Sequence, residues 1–342
     1  MKNRKFMAVL AMVLVCILSA AGCKKNVGSP EDNPVQEEEE EGEEEGEEDG
    51  QADEEGYTFG FSAIDMENPY FITLENSIRE SLTENGDRLI TMDPGTDEDV
   101  QASQIQQMID EGIDAIFLSP VNWESITPSL ETLREAGVKI INVDTQVKEM
   151  DYVDAYVGSD NLEAGRICGQ ALLERCPEGG KVLILECPTQ NSINDRITGF
   201  EEAISDADPG FEVVARENTD GKFEKSLEVA QAALEAYPDV TAIMCGNDQI
   251  AVGAQTAVNL LGMDNVIIYG VDGSPDIKKE LLKSDTQIAG TAAQSPINMG
   301  KEAVSVALAV LDGGEYEKEN YVEIIDMITK DNVEMYGADG WQ

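Results

Sequence analysis

The sequence predicts an α/β protein of two lobes, each a doubly wound sheet of parallel strands. Its 342 residues, 42% of them hydrophobic, are enough for two buried cores of ordinary size. Short apolar runs alternate with segments whose apolar residues recur at helical spacing, and short connections between them favour parallel strands. The alternation starts again about halfway along the chain. Because ligands bind beyond the carboxyl ends of parallel strands, two such lobes should face each other across a binding cleft.

The first half should contain four strands and three helices, with local signals at the helix ends. Pro69 suits a first helical turn and Gly86 follows the last turn of that helix, while Asp97 can cap the second helix and Gly137 ends the third. In chain order the predicted elements are strand 57–64, helix 69–85, strand 89–92, helix 98–109, strand 115–118, helix 123–136 and strand 139–143.

The second half repeats this pattern with five helices and five strands. The predicted helices are 162–176, 194–204, 223–237, 249–261 and 297–311, and the predicted strands are 181–186, 212–215, 241–244, 266–269 and 287–289. A 2-1-3-4-5 strand order would place Cys187 and Cys245 at the ends of neighbouring strands. A disulfide between them is the alternative, but we expect two buried free thiols.

The N-terminus has the features of an export signal. Three basic residues precede an apolar run over 6–18, which is short for a bilayer span and ends in small residues before Cys23. A Cys directly after Gly resembles the bacterial lipoprotein cleavage site. We therefore expect a signal peptide over 1–22 and a lipid on Cys23 that anchors the chain outside the cytoplasm. A secreted protein with a stray Cys and an uncleaved anchor are the alternatives.

An acidic segment follows the predicted anchor. Residues 31–55 contain 16 Asp and Glu and no basic residue, so this run cannot bury apolar area and repels itself. We expect residues 23–56 to form an extended, solvated tether between the lipid and the folded body. Calcium binding or partner binding by the run is the alternative.

The charge and the missing histidines exclude several functions. The chain has 23 basic and 69 acidic residues, and the body from Tyr57 onward still carries a net charge of −35, which disfavours nucleic acids and other anionic partners. With no histidine, the chain lacks the usual base of hydrolases and a common metal ligand. Neither a phosphate-binding loop nor a paired-cysteine motif occurs, so we expect no cofactor, no metal and no enzymatic activity.

Polar and aromatic residues follow the predicted strands of both halves. They are Asn68, Tyr70, Phe71, Asp144, Arg196, Asn247, Asp248, Asp272 and Gln294. Carboxylates can accept hydrogen bonds from vicinal hydroxyls, Arg and amides can donate, and aromatic rings can cover the C–H face of a sugar. Taken singly, several have a structural explanation as helix caps or turn residues. Together they predict a site for a sugar or polyol.

Five motifs in order resemble the class-I periplasmic sugar-binding proteins of ABC importers, the family of ribose-binding protein. They are Asn68-Pro69-Tyr70-Phe71, Gly158-Ser159-Asp160-Asn161, Asn247-Asp248-Gln249, Gly270-Val271-Asp272-Gly273 and Gln294-Ser295-Pro296, within a resemblance that covers about residues 57–330. The resemblance implies that a monosaccharide is bound by Asn68, Tyr70, Phe71, Asp144, Arg196, Asn247, Asp272 and Gln294. It also implies a monomer that delivers the sugar to an ABC permease.

The resemblance further implies three chain crossings between the lobes, near Ser159/Asp160, Gln294/Ser295 and Glu323/Ile324. The N-terminal lobe would then comprise 57–159 and 295–323, and the C-terminal lobe 160–294 and 324–342. The chain departs from the ribose proteins at Thr145, where they commonly have Arg, and at 219–222, where they place an aromatic residue. These departures should open the pocket. We expect Trp341, beyond the shared core, to pack on the second lobe.

Three other functions share parts of this pattern. A transcription factor with the same fold would need a basic DNA-binding helix pair ahead of the body, where this chain has an export signal and an acidic run. An exported glycosidase could use Asp144 and Asp272, but we expect Arg and amides to keep both carboxylates ionised, which suits binding. A receptor that presents the sugar to a sensor kinase remains a direct alternative to transport.

Overall fold

Two six-stranded sheets organise the part of the chain that the computed structural model describes, residues 56–323 and 326–342. The predicted signal peptide (1–22), Cys23 with its lipid and the acidic run as far as residue 55 lie outside the described residues. Within the two described ranges, no helix is both long enough and apolar enough to span a bilayer.

The elements follow one another in a regular strand–helix alternation. The strands are β1 (Thr58–Ser62), β2 (Arg88–Met92), β3 (Ala115–Leu118), β4 (Lys139–Val143), β5 (Ala155–Ser159), β6 (Gly180–Glu186), β7 (Phe211–Asn218), β8 (Ala242–Cys245), β9 (Ile267–Asp272), β10 (Ile288–Ala293), β11 (Glu319–Val322) and β12 (Asp326–Thr329). The helices are α1 (Pro69–Asn85), α2 (Glu98–Asp110), α3 (Thr127–Glu135), α4 (Asn161–Arg175), α5 (Asn191–Ile204), α6 (Phe223–Ala236), α7 (Asp248–Leu261), α8 (Pro275–Leu281), α9 (Pro296–Asp312) and α10 (Val333–Tyr336).

The first sheet has the strand order β11-β5-β4-β3-β1-β2, and all of its strand pairs are parallel. Helices cover both faces, as a parallel sheet requires. Phe59 and Phe117 pack with α1 and α9 on one face, whereas Ile116 and Leu118 pack with α2 and α3 on the other. Neighbouring residues of β3 therefore enter different cores, because side chains alternate along a strand.

The second sheet has the order β12-β10-β9-β8-β6-β7. Its five parallel strands confirm the predicted 2-1-3-4-5 order, and β12 pairs antiparallel with β10 at the edge. Helices α4 and α5 pack on each other, as do α6 and α7, and one continuous apolar core joins them to the sheet. The prediction of two α/β lobes with mainly parallel sheets is confirmed.

The chain passes from one sheet to the other after β5, after β10 and between β11 and β12. Each lobe is therefore assembled from separate chain segments, and α9 returns to pack against β4 and β5 of the first sheet. Ile324 and Ile325, between β11 and β12, lie outside the described residues. The three crossings together form the connection between the lobes, and those after β5 and β10 leave from the carboxyl ends of these strands.

Several elements were not predicted from periodicity. Strands β5, β11 and β12 were missed; β11 and β12 have only four residues each, and β11 is largely exposed, so its sequence lacks an apolar alternation. Helix α8 has only seven residues. Helix α3 begins at Thr127 instead of 123, because the side chain of Asn122 accepts a hydrogen bond from the backbone N–H of Glu124 (3.0 Å) and forms a local turn there.

Candidate functional site

The carboxyl ends of the two sheets meet around a narrow cavity between the lobes. The residues around it include all eight that the family resemblance implied as sugar contacts, together with two more. They are Asn68, Tyr70, Phe71, Asp144, Arg196, Asn247, Asp272 and Gln294, joined by Gln190 and Ser192.

The start of α1 supplies one wall of the cavity. Asn68 caps the helix, since its side-chain oxygen accepts a hydrogen bond from the backbone N–H of Tyr70 at 3.0 Å, and Pro69 occupies the first turn. The rings of Tyr70 and Phe71 are nearly perpendicular, with centroids 5.4 Å apart, and both are buried. This local geometry presents an amide and two aromatic rings to the same space.

Asp144 enters the cavity from the end of β4 with a left-handed backbone (φ +63°), which is uncommon for a residue other than glycine. Two hydrogen bonds hold this conformation. The Asp144 N–H donates to the Val157 carbonyl at 3.0 Å, and the Asp144 carbonyl accepts from the Tyr156 hydroxyl at 2.8 Å. The neighbouring strand β5 therefore fixes the direction of the carboxylate.

Arg196, on α5 of the second lobe, is almost completely buried and bound on several sides. Its Nε donates to the side-chain oxygen of Asn161 (2.8 Å), and its Nη1 donates to the Gly246 carbonyl (2.9 Å) and to Asp272 Oδ1 (3.3 Å). A guanidinium held by three elements is preorganised to donate further hydrogen bonds into the cavity.

Three residues complete the second-lobe wall. Asn247 caps α7 through its side-chain oxygen and donates its amide to the Gly221 carbonyl at 3.2 Å. The Gln294 amide donates to Asp272 Oδ1 at 2.7 Å. Among the described residues, the buried oxygen Oε1 of Gln294 has no hydrogen-bond partner. A buried acceptor without a partner is costly, so this atom is suited to a donor from a ligand.

Burial opposes the effect of Arg196 and the amides, which were expected to keep the two carboxylates ionised. Burial raises the pKa of Asp144 to about 6, although the Arg196 guanidinium opposes this rise; the Asp272 carboxylate adds to it. Burial also raises the pKa of Asp272, again against the effect of Arg196. Desolvation of the two carboxylates therefore raises their pKa values more than the one guanidinium lowers them.

Asp248 has a structural role beneath the site. Its carboxylate accepts hydrogen bonds from the Ser274 backbone N–H and the Thr291 hydroxyl, both at 2.7 Å. It is fully buried, and burial raises its pKa to about 7. These bonds connect the start of α7 to the ends of β9 and β10, and they account for an acidic residue directly after Asn247.

The lobes contact each other around the cavity. Lys222 Nζ lies 3.1 Å from Asp65 Oδ2, and the backbone N–H of Trp123 donates to the Thr189 carbonyl at 3.1 Å. The hydroxyls of Thr145 and Ser192 form a buried hydrogen bond at 2.5 Å. The two lobes are therefore in a closed arrangement, and Thr145 and Lys222, at the two departures from the ribose proteins, both join the lobes.

Gln190 and Ser192 are pocket residues that the sequence analysis missed. Both follow β6, as Arg196 does, so a systematic survey of polar residues after each strand would have included them. The Gln190 amide packs against Gly221, where a Cβ would lie only 2.9 Å from Nε2. The departures were expected to open the pocket; at these two positions Gln190 lies against Gly221, and Ser192 forms a hydrogen bond with Thr145.

Two further expectations are resolved by the packing. Trp341 was expected on the second lobe, but this was wrong: its ring lies edge-on against Tyr70, with centroids 5.7 Å apart, and packs on the core of the first lobe. Cys187 and Cys245 are buried free thiols, as expected, and burial raises the pKa of both. No group of residues that could hold a metal ion occurs in the described part of the chain.

Comparison with known sequences gives consistent results. A family model for a periplasmic binding protein domain matches residues 59–315. The ribose import binding protein of Bacillus subtilis is 29% identical over 263 residues, which is 77% of this chain and 84% of that protein. A D-ribose/D-allose-binding protein of Pseudomonas aeruginosa is 30% identical over 278 residues, covering 77% and 86% of the two chains.

Solved structures share the architecture as well. A solute-binding protein of an ABC transporter from Mycobacterium smegmatis, with bound glycerol, has a TM-score of 0.79 and 26% identity, covering 84% of this chain and 98% of that one. A periplasmic solute-binding protein from Actinobacillus succinogenes, with bound D-allose, has a TM-score of 0.74 and 25% identity, covering 82% and 100%.

Proposed function

The chain belongs to the periplasmic binding protein family, with the two-lobed type I fold, and we propose that it captures a neutral monosaccharide or polyol between its lobes. It then delivers the ligand to an ABC permease without chemical turnover. The relatives support this class of ligand, since they are named for ribose, allose and xylitol.

The observation that carries the proposal is the unpartnered, buried Oε1 of Gln294 in a cavity where Arg196 and Asp272 are held by hydrogen bonds. It needs a donor, and the carboxylates of Asp144 and Asp272 also accept hydrogen bonds, while Arg196 and Asn68 can donate. A polyhydroxylated ring offers both donors and acceptors on adjacent carbons. The rings of Tyr70 and Phe71 supply the apolar face that such a ring also needs.

The charge of the site favours a neutral ligand. One guanidinium, from Arg196, faces the carboxylates of Asp144 and Asp272, so the wall has no surplus positive charge for a phosphate or carboxylate. The net charge of −35 over the body acts in the same direction at longer range. Sugar phosphates and nucleotides should therefore bind poorly.

A thermal-shift panel tests this function. The probes are D-ribose, D-allose, xylitol and myo-inositol at millimolar concentration, with ribose 5-phosphate, nucleotides and amino acids for comparison. A ligand at one hundred times its Kd stabilises the folded state by about 2.7 kcal/mol. Since each kcal/mol raises Tm by roughly 2–4 °C in a protein of this size, at least one neutral probe should raise Tm by about 5 °C or more.

The remaining outcomes of the panel are informative. A flat response to the neutral probes, with a shift for an amino acid or nucleotide, would refute the ligand class and leave the fold assignment intact. Release of a free sugar from a glycoside during the assay would instead support the glycosidase alternative.

We also propose that the protein is a lipoprotein on the outer face of the cell membrane, with Cys23 acylated and residues 23–56 as a tether. The family supports an extracytoplasmic location. Cys23→Ser should move the protein from the detergent phase to the aqueous phase in detergent partitioning after expression in a lipoprotein-competent host. If the unaltered protein partitions into the aqueous phase, the anchor is absent.

The permease partner can be tested in the native host. Deleting the gene should abolish uptake of the sugar that the panel identifies. Unchanged uptake, with loss of sugar-dependent gene induction, would show that the protein serves a sensor kinase instead.

A further inference from the structure

Residues Gly340–Gln342, here called the bridging segment, lie behind the cavity and are held by the second lobe. Lys278 Nζ donates hydrogen bonds to the Gly340 carbonyl and to the side-chain oxygen of Gln342, the latter at 3.1 Å. The Lys278 side chain is fully buried and its pKa is lowered, chiefly by burial. A buried ammonium must be paired with acceptors, so these bonds attach the segment firmly to α8.

The segment also binds the backbone of two cavity residues. The side-chain amide of Gln342 donates to the Gln294 carbonyl at 3.0 Å and to the Asp272 carbonyl at 3.3 Å. Gly273 has a φ of +78°, and a Cβ there would lie only 2.4 Å from the Gln342 amide nitrogen. Glycine is thus needed both for the backbone conformation and for this close approach.

The same segment reaches the first lobe. The Trp341 ring contacts Tyr70 edge-on, with an angle of 75° between the ring planes. The hydroxyl of Ser295, the N-cap of α9, donates to the Gln342 carbonyl. Because α9 packs on β4 and β5, the bridging segment links the second lobe, the crossing at Ser295 and the first lobe.

We propose that the bridging segment is a positioning device for the ligand site. It holds Asp272 and Gln294 through Gln342, supports the ring of Tyr70 through Trp341, and stabilises the closed arrangement in which these residues surround one cavity. None of its residues lines that cavity, so it acts through the residues it contacts. This inference rests on the proposed sugar-binding function.

The test compares Trp341→Ala, Gln342→Ala and the rescue variant Trp341→Phe with the full chain. Asp339→Ala is the matched control, since Asp339 is an exposed neighbour of the segment. Affinity is measured by calorimetry for whichever of D-ribose, D-allose, xylitol and myo-inositol gives the largest thermal shift. Each alanine variant should weaken affinity by about fivefold, the equivalent of one lost hydrogen bond or aromatic contact, while the control stays within about twofold.

Two readouts separate positioning from a general loss of stability. Trp341→Phe should restore most of the affinity, because it keeps an aromatic edge against Tyr70. The protein has two tryptophans, so in a Trp123→Phe background the emission reports Trp341 alone and should change when the sugar binds.

The outcomes distinguish this inference from the function on which it rests. If the unaltered protein binds a probe and the alanine variants bind it equally well, the positioning role is wrong and the sugar-binding function stands. If the affinity of an alanine variant falls only in proportion to its folded fraction, and Trp341→Phe does not restore it, the positioning role is also wrong. If the unaltered protein binds no probe, the proposed function fails and the inference fails with it.

Discussion

Replacing Asp144 with asparagine is expected to weaken sugar binding at pH 7 by about tenfold or more and, at the same time, to stabilise the sugar-free protein. The binding loss follows because an ionised carboxylate can accept hydrogen bonds from two vicinal hydroxyls through its two oxygens, whereas an amide has only one acceptor oxygen. The gain in stability follows because burial raises the pKa of Asp144 to about 6, so at neutral pH the fold holds an ionised group that would be better solvated in the unfolded chain. Calorimetry and thermal unfolding measure the two effects.

The pH dependence has a definite sign. Since the pKa of Asp144 is higher in the folded than in the unfolded protein, the folded state binds more protons at a pH between the two pKa values. The contribution of Asp144 to the free energy of unfolding therefore increases as pH falls through about 6. Sugar binding should follow the opposite trend, because hydroxyl donors favour the carboxylate, and affinity should be about tenfold lower at pH 5 than at pH 7.

Asp285→Asn is the matched control, because it removes one carboxylate at an exposed position of the second lobe. It should leave both the affinity and its pH dependence unchanged. If Asp144→Asn destabilises the sugar-free protein at pH 7, the carboxylate is paired in solution and the desolvation argument is wrong. Unaltered affinity in the same variant would remove Asp144 from the site.

Replacing Arg196 with methionine is expected to abolish measurable sugar binding and to lower the stability of the sugar-free protein. The change removes the donor to Asn161 and Asp272 and leaves the buried Asp272 carboxylate without its guanidinium. Breaking one side of a buried ion pair costs about 3–5 kcal/mol, which corresponds to a fall in Tm of roughly 10 °C for a chain of this size. Thermal unfolding and calorimetry measure both losses.

Arg196→Lys separates charge from geometry. Lysine keeps the positive charge but cannot reach Asn161, Gly246 and Asp272 together, as the guanidinium does. It should recover part of the stability and little of the affinity. Arg88→Met, at an exposed arginine of the first lobe, is the control and should change neither. Full binding by Arg196→Lys would show that the site uses only the charge.

Local chemistry explains why much of the fold and site could be predicted. Strand and helix periods depend on side-chain pattern alone, and Asn68 and Asn247 cap the helices that follow them because capping needs only neighbouring backbone groups. Carboxyl ends of parallel strands share one edge of a sheet, so polar residues after β4, β8 and β9 had to lie close to each other within their lobe. The exchange of segments between lobes came from the family resemblance, because short edge strands such as β11 have no distinctive pattern.

The sequence by itself thus determined the α/β class, the order of the five parallel strands of the second sheet and eight of the ten residues that line the cavity. The tertiary structure decided the rest. The pKa of Asp144 depends on burial and on charges that belong to the other lobe, and neither distance nor desolvation can be read from a linear pattern. Trp341 packs on Tyr70 because the chain turns back across the hinge, and Gln190 enters the cavity because Gly221 leaves room for its amide. Contacts between residues far apart in the chain exist only once both lobes have folded and closed.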